Sequence, residues 1–390
     1  MDISLTALME GLLQQTTSAF HRYMFSKVSW DSRMFGIVGP RGIGKSTMIL
    51  QYIKENRTEK RMFYVTADHL YFTSHTLVDL VDEFAKEGGE QIFIDEIHKY
   101  ANWSRELKQI YDSHPDIKVG FTGSSVLDIY KGYADLSRRA PIFMMQGLSF
   151  REYLILFHQL EVQAYSMEEI LQNKVVIPHV THPLPLFQDY LQRGYYPFAQ
   201  ERDYEILLRQ VVNQTMEVDI PLYAGMNAST GRKLKKLLSV IAQSVPFKPV
   251  MDSIATIVGV SRNVLPDYFL YMEQAGMIGQ LRDDTGGMRG IGKVEKVYLD
   301  NTSLAYILGG TATDIGNIRE TFFYNQMRVT TDVISSRISD FQIDGRTFEV
   351  GGKNKGKRQI SDASDGYVVK DDIEFGSGNT IPLWAFGLTY

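Results

Sequence analysis

The stretch GIVGPRGIGKSTMIL, residues 36–50, decides the fold of the first part of this 390-residue chain. The apolar run MFGIVG (34–39) enters a glycine-rich loop, and the apolar-periodic pattern STMILQYIKE (46–55) leaves it. The loop satisfies the spacing G-x-x-x-x-G-K-[ST] between a strand pattern and a helix pattern, which is the context that this phosphate-binding motif requires. A glycine-rich turn with a chance lysine is the alternative. The matching positions are Gly39, Gly44, Lys45 and Ser46.

A loop of this kind turns backbone N–H groups toward phosphate oxygens, and the start of the following helix adds its positive end. We expect Lys45 to supply a charge to the β and γ oxygens and Ser46 to supply a ligand for Mg²⁺. ATP and Mg are therefore the expected ligands. The predicted cofactor-binding residues are those of the whole loop: Gly39, Pro40, Arg41, Gly42, Ile43, Gly44, Lys45, Ser46 and Thr47.

A second strand pattern, QIFIDE (91–96), ends in two acids, Asp95 and Glu96. In open α/β sheets, ligands bind at the carboxyl edge of the strands, which is where these acids are expected. Asp95 is placed to hold Mg²⁺ through water, and Glu96 to polarise the attacking water. A solvated strand end, which often carries acids, is the alternative.

Two further features offer groups for the γ-phosphate. The strand VGFTGSS (119–125) carries Thr122, Ser124 and Ser125, and a hydroxyl there could sense the γ-phosphate or cap the helix that follows. Arg138 and Arg139, in DLSRRAPIF (135–143), could reach a γ-phosphate in their own subunit or a neighbour's and neutralise charge in the transition state. An ordinary pair of surface arginines is the equal alternative.

The composition bounds the class of protein. Apolar residues make up 44%, charged residues 22% and aromatic residues 12%, which is typical of a globular protein of two or three domains at this length. The net charge of −5 excludes a chain-wide basic field for nucleic acid or membrane. Cysteine is absent, which excludes disulfides and thiolate metal sites. With no signal-peptide or membrane-spanning pattern, a cytoplasmic location is expected.

Strand and helix patterns alternate along the first 150 residues. The strands are expected at 34–39, 62–68, 91–96, 119–125 and 141–147, and the helices at 4–25, 45–56, 75–87 and 102–113. This alternation predicts an α/β core, a P-loop NTPase parallel sheet with helices on both faces. We expect a helical lid or linker over 151–230, a winged-helix-like domain over 231–309 and a small α+β domain over 310–390.

Several segments resemble the bacterial and archaeal AAA+-type ATPases that carry an AAA_14 domain followed by a DUF4143 domain. The carrying segments include GPRGIGKST, IFIDEIHKYANWSRELKQIYDSHPDIKVGFTGSS, GLSFREYL and DYLQRGYYP. The resemblance implies an AAA+ core, a winged-helix region and a C-terminal domain similar to restriction-endonuclease folds. It makes Asp95 and Glu96 the metal and water pair, and Arg138 the match to the family's arginine, although Ser137 precedes it where the family has glycine.

A nuclease of the restriction-endonuclease fold needs two acids, a lysine and Mg²⁺. Asp340 and Glu349 match the acids, and Glu320 on the preceding helix is a third candidate. Gly351 stands where the lysine is expected, whereas Lys353 has the same alternation parity along an extended strand. A retained but inactive fold is the competing expectation.

Basic groups in the later part of the chain suggest partners. Arg262 begins the third helix of the expected winged helix, and GGKNKGKRQ (351–359) is basic. Either could contact DNA phosphates, while winged helices also dock proteins. The expected function is Mg-dependent ATP hydrolysis coupled to the C-terminal modules. A nucleotide-gated DNA- or protein-binding module is the first alternative, and a metal-dependent nuclease the second. A ring-like oligomer is compatible with either.

Overall fold

The computed structural model describes residues 1–123, 136, 138–243, 248–284, 292–310, 313–356, 358–361 and 363–390. The chain divides into two compact units, Met1–Gln146 and Gly147–Tyr390. None of the described helices combines the length and apolarity that crossing a lipid bilayer demands.

The first unit is built on a five-stranded parallel sheet, as the sequence predicts. The strands are β1 (Met34–Val38), β2 (Met62–Thr66), β3 (Gln91–Asp95), β4 (Lys118–Gly123) and β5 (Ile142–Met144). Their spatial order is β2-β3-β4-β1-β5, the order of P-loop proteins, and every neighbouring pair of strands is parallel. The short fifth strand is confirmed as well, and it pairs with β1.

The central strands are buried along their whole length, which explains their nearly continuous apolar sequence. Glycines make room for large rings on neighbouring strands. A Cβ on Gly36 would lie 2.6 Å from the ring of Phe121, its partner in the register. A Cβ on Gly120 would lie 2.7 Å from the ring of Phe93, again its partner. Glycine opposite phenylalanine therefore fixes how these strands pack.

Helices fill the gaps between the strands, and the three expected between 45 and 113 are confirmed within a few residues. The N-terminal helix is shorter than the predicted 4–25. It ends at Gln15 because Thr16 is extended, and the next residues are tied to α2 instead, where Gln51 donates to the carbonyls of Thr17 at 2.7 Å and Phe20 at 2.8 Å. The helices are α1 (Ile3–Gln15), α2 (Lys45–Asn56), α3 (Leu77–Lys86) and α4 (Trp103–Ser113).

The second unit begins with a helical region, as expected. Three of its helices are followed by an antiparallel ribbon of two strands, in the order of the expected winged helix; that assignment stays a prediction. The helices are α5 (Phe150–His158), α6 (Met167–Leu171), α7 (Leu184–Arg193), α8 (Tyr204–Gln214), α9 (Ile220–Ala224), α10 (Ala228–Gln243), α11 (Met251–Val258), α12 (Leu265–Gln274), α13 (Thr302–Gly309) and α14 (Ile315–Met327), and the ribbon is β6 (Ile278–Arg282) with β7 (Val294–Leu299).

The chain closes with a mixed five-stranded sheet in the order β12-β11-β10-β9-β8. β10 runs parallel to β11 and β11 to β12, while the other pairs are antiparallel. Phe323 of α14 packs on this sheet, with ring centroids 5.0 Å from Phe341 and 5.4 Å from Phe348. The strands are β8 (Ile334–Ser335), β9 (Phe341–Ile343), β10 (Arg346–Gly351), β11 (Gly366–Lys370) and β12 (Thr380–Pro382).

The three later segments expected from sequence share one compact unit. The last residue returns to α5, where the Ser149 hydroxyl donates to the Tyr390 carbonyl at 2.7 Å. Gln326 of α14 donates to the Tyr190 hydroxyl of α7 at 3.0 Å. The boundaries near 230 and 309 stay predictions, and so does the likeness to restriction endonucleases.

Candidate active site

The glycine-rich loop follows β1 and leads directly into α2. Gly39, Gly42 and Gly44 have φ angles of 153°, 80° and 93°, in the region that favours glycine. A Cβ on Gly39 would lie 2.1 Å from the Met145 carbonyl oxygen, so that position also excludes any side chain sterically. Gly44 caps α2 without a side-chain hydrogen bond. No side chain therefore caps the backbone N–H groups of the first turn of α2, and these groups can donate hydrogen bonds to an anion.

Lys45, the first residue of α2, turns back into the loop. Its ammonium donates to the carbonyl oxygens of Gly39 at 2.9 Å and Pro40 at 2.8 Å. The side chain is buried, and burial lowers the pKa of Lys45 to about 8, although the carboxylates of Glu96 and Asp95 act in the opposite direction. The loop therefore holds a desolvated positive charge near an acidic pair.

Asp95 ends β3 at the carboxyl edge of the sheet and is 4% exposed. Its Oδ2 accepts a hydrogen bond from the Tyr64 hydroxyl of β2 at 2.6 Å. Its Oδ1 accepts from the Thr122 hydroxyl of β4 and from the Glu96 backbone N–H at 3.1 Å. Because an ionised carboxylate only accepts hydrogen bonds, these three donors fix its orientation.

Glu96 follows β3 in the left-handed region, with φ 50° and ψ 39°. Burial, and then the neighbouring Asp95 carboxylate, raise the pKa of Glu96, while Lys45 acts in the opposite direction. Its Oε2 lies 3.3 Å from Nε2 of His98, whose side chain is fully buried. Burial lowers the pKa of His98 to about 3, so the imidazole is neutral at pH 7.

The structure brings Thr122 to the acidic pair. Its hydroxyl donates to Asp95 and accepts from the Glu96 N–H at 3.1 Å. Sensing of a γ-phosphate by Thr122 stays a prediction, and Ser124 lies outside the described residues. Arg138 is exposed in the chain between β4 and β5, so its role also stays a prediction.

Ser46 is the second residue of α2 and lies at the start of that helix. Burial, and then the Asp95 carboxylate, raise the pKa of the Tyr64 phenol, although Ser46 acts in the opposite direction. The Ser46 hydroxyl and the Asp95 carboxylate are hard oxygen ligands of the kind that Mg²⁺ accepts. The donor set therefore fits the expected metal.

Family comparisons agree with this geometry. Residues 31–154 match the AAA_14 family, described as an AAA domain. The AAA_14 domain therefore comprises residues 31–154. Residues 184–315 match DUF8612, a domain of unknown function. The expectation of a DUF4143 domain was therefore wrong, since it rested on the less specific later segments.

The relatives of the chain cover parts of it. An uncharacterised protein of Methanocaldococcus jannaschii, MJ1637, is 28% identical over 268 residues, 62% of this chain and 55% of that protein. The chain thus spans about half the length of this curated relative. The Walker-type ATPase PABY2304 of Pyrococcus abyssi is 13% identical with a TM-score of 0.47, covering 76% of this chain and 99% of that one. AMPPCP-bound DnaA from Aquifex aeolicus is 10% identical with a TM-score of 0.26, covering 70% and 89%.

Sequence reasoning missed two side chains of the first unit that support this site. Arg22 is buried, and its guanidinium donates to the Ile43 carbonyl in the loop and to the Gln146 carbonyl at 2.7 Å, after β5. Tyr64 lies within the buried run MFYVTAD, where a tyrosine needs a partner for its hydroxyl. That need is the only sequence signal for Tyr64, and Arg22 gives none.

Beyond the AAA_14 domain, the predicted nuclease-like acids Glu320 and Asp340 share a lysine. The Lys296 ammonium of β7 lies 2.9 Å from Oε2 of Glu320 and 3.1 Å from Oδ1 of Asp340. The Tyr298 hydroxyl donates to Glu320 at 2.7 Å. Burial, and then the Asp340 carboxylate, raise the pKa of Glu320 despite Lys296. An ammonium thus occupies the position between the two acids.

Glu349 on β10 is 1% exposed and pairs with Lys355, not with the predicted Lys353. β10 ends at Gly351 and the chain turns, which returns Lys355 over Gly351; a Cβ there would lie 2.7 Å from the Lys355 side chain. Lys353 is exposed in the turn, and its carbonyl accepts from Lys370 at 3.1 Å. Over the described ranges, no three acids or histidines are arranged to hold a metal ion.

Proposed function

We propose that the AAA_14 domain binds ATP with Mg²⁺ and hydrolyses it. The observation that carries the proposal is the meeting of three features: a glycine-shaped loop, the buried Lys45 ammonium, and the Asp95–Glu96 pair at the carboxyl edge of β3. Phosphoryl transfer to water requires a loop that binds the phosphates, a positive charge beside them and a group that orients the attacking water. The glycine-rich loop, Lys45 and the acidic pair are suited to these three tasks in that order.

The protein groups have separate tasks in this reaction. Lys45 exchanges its two carbonyl contacts for phosphate oxygens, and the N–H groups at the start of α2 face the same anion. Mg²⁺, held by Ser46 and Asp95, would neutralise charge on the phosphate oxygens. Burial raises the pKa of Glu96 toward the range of an effective general base, and Nε2 of His98 lies 3.3 Å from one of its oxygens.

Phosphate release and nucleotide binding test the proposal together. Wild-type protein should bind Mg-ATP and release phosphate. Lys45→Ala should lose both properties, while Glu96→Gln should still bind and turn over about 100-fold more slowly or worse. Lys108→Ala, on the exposed face of α4, is the matched control and should behave as wild type. Unchanged turnover in Glu96→Gln would remove Glu96 from the mechanism, and absence of binding by the wild type would overturn the proposal.

We propose that the nucleotide state is coupled to the second unit, and a gated module with negligible turnover is the second candidate. One observation favours slow turnover: the Thr122 hydroxyl is already engaged by Asp95 and Glu96. A partner, DNA or protein, would then bind in one nucleotide state only. Filter binding to DNA with ATP, ADP or no nucleotide, at two salt concentrations, tests the DNA form of this candidate. Weak binding that ignores the nucleotide would contradict it.

A further inference from the structure

Tyr64 belongs to none of the nucleotide-binding motifs, yet its hydroxyl contacts Asp95, one of the two proposed ligands of Mg²⁺. It lies on β2, which neighbours β3 in the sheet, and it is 4% exposed. Its hydroxyl donates to Oδ2 of Asp95 at 2.6 Å. Tyr64 therefore holds one of the two residues that are proposed to bind Mg²⁺.

The two oxygens of Asp95 are held from opposite sides. Thr122 of β4 and the Glu96 N–H hold Oδ1, and Tyr64 of β2 holds Oδ2. If Tyr64 lost its hydroxyl, only Oδ1 of Asp95 would still be held, and the carboxylate could rotate about its Cβ–Cγ bond.

We propose that Tyr64 is a positioning residue for ATP hydrolysis, because its hydroxyl fixes the orientation of the Asp95 carboxylate, a proposed ligand of Mg²⁺. This inference rests on the proposed function. Tyr64 touches neither substrate nor the reacting atoms; it acts through Asp95. Pre-oriented metal ligands matter because a small misplacement in the supporting groups commonly costs about 10- to 100-fold in metal affinity or activity.

The test compares Tyr64→Phe with wild type in the full chain. Tyr64→Phe keeps the ring and removes one oxygen. Calorimetry with a non-hydrolysable ATP analogue should give unchanged affinity without Mg²⁺, while half-maximal enhancement of binding should need about tenfold more Mg²⁺. The turnover number should fall about tenfold or more, with a smaller change in KM. Tyr52→Phe is the matched control, because Tyr52 is also a buried tyrosine of the first unit. Its hydroxyl accepts a hydrogen bond from the Lys60 ammonium at 3.4 Å, so this substitution also removes one hydrogen-bonded phenol oxygen.

A double-mutant cycle with Asp95→Asn separates positioning from a general effect on folding. In the Asp95→Asn background, Tyr64→Phe should no longer change the Mg²⁺ dependence of binding. An equal effect in both backgrounds, or a single variant with wild-type Mg²⁺ dependence, would overturn the inference and leave the proposed function intact. Failure of the wild type itself to bind the analogue would overturn both.

Discussion

Replacing Lys45 with methionine is expected to stabilise the nucleotide-free protein near pH 7 while abolishing nucleotide binding. Lys45 is buried, and its pKa falls from 10.5 to about 8, chiefly because burial disfavours the charge. One pKa unit corresponds to about 1.4 kcal/mol, so keeping this lysine charged in the folded state costs about 3 kcal/mol. Methionine has a similar length without a charge.

The substitution also removes two hydrogen bonds. The carbonyls of Gly39 and Pro40 would lose the ammonium that donates to them, at a cost of about 1 kcal/mol each. The net gain is therefore about 1 kcal/mol, which for a unit of this size raises the midpoint of thermal unfolding by about 2–4 °C. The charged ammonium of Lys45 therefore destabilises the folded, nucleotide-free protein.

The pH dependence gives this prediction its sharpest form. Below about pH 8, Lys45 is charged in the folded and unfolded states, so the wild type carries the whole penalty. Between pH 8 and 10.5 the folded state has lost the proton that the unfolded state still binds, so wild-type stability rises with pH relative to the variant. Since neutral lysine retains its hydrogen bonds, the order of the two proteins should reverse near about pH 9.

The assay is thermal unfolding of both proteins from pH 7 to pH 10, measured on the transition that Mg-ATP shifts in the wild type. Mg-ATP at about 100 times its Kd should stabilise the wild type by about 2.7 kcal/mol and leave Lys45→Met unchanged. Lys108→Met, at an exposed position, should change stability by no more than about 0.5 kcal/mol. A variant that is less stable at pH 7, by an amount that does not vary with pH, would refute the reasoning.

Two further predictions concern ion pairs of the second unit. Arg328→Met should lower the free energy of unfolding, measured in urea, by about 3–5 kcal/mol, because it leaves the buried Asp300 carboxylate without its guanidinium. Arg262→Met is the matched control: its ion pair with Asp252 is exposed, so its loss should cost less than about 1 kcal/mol. Lys296→Met should lower the free energy of unfolding more at pH 8 than at pH 5, because the variant leaves the Glu320 and Asp340 carboxylates facing each other without the ammonium. The folded-state pKa of Glu320 is raised, so this carboxylate takes up a proton as the pH falls and its repulsion with Asp340 is relieved. A loss of stability that is the same at both pH values would contradict this.

The sequence predicted those parts of the fold that short spacing encodes. The glycines around Lys45 and the acids after QIFI lie within a few residues of each other, and the periods of strand and helix around them are local. The end of α1 was missed because the apolar spacing continues past Gln15, whereas the hydrogen bonds from Gln51 that hold the next residues are tertiary. Local periodicity carries no information about such partners.

The lysine expected near Glu349 shows a different limit. Alternation parity favours Lys353 on a strand that continues straight, but β10 stops at Gly351. The missing side chain of Gly351 leaves the space into which Lys355 folds back. Strand ends are set by turn geometry rather than by alternation, so parity fails at the residue where the strand stops. The same turn places Lys353 in solvent.

The supports of Asp95 follow from strand order, not from distance along the chain. Tyr64 precedes Asp95 by 31 residues and Thr122 follows it by 27, so no local motif contains all three. The order β2-β3-β4 places β3 between the strands that carry these hydroxyls, and parallel pairing brings all three strands to the same edge. Each neighbouring strand therefore contributes one hydroxyl to one carboxylate oxygen. In this sheet, the hydroxyl groups that orient Asp95 come from the strands on either side of its own.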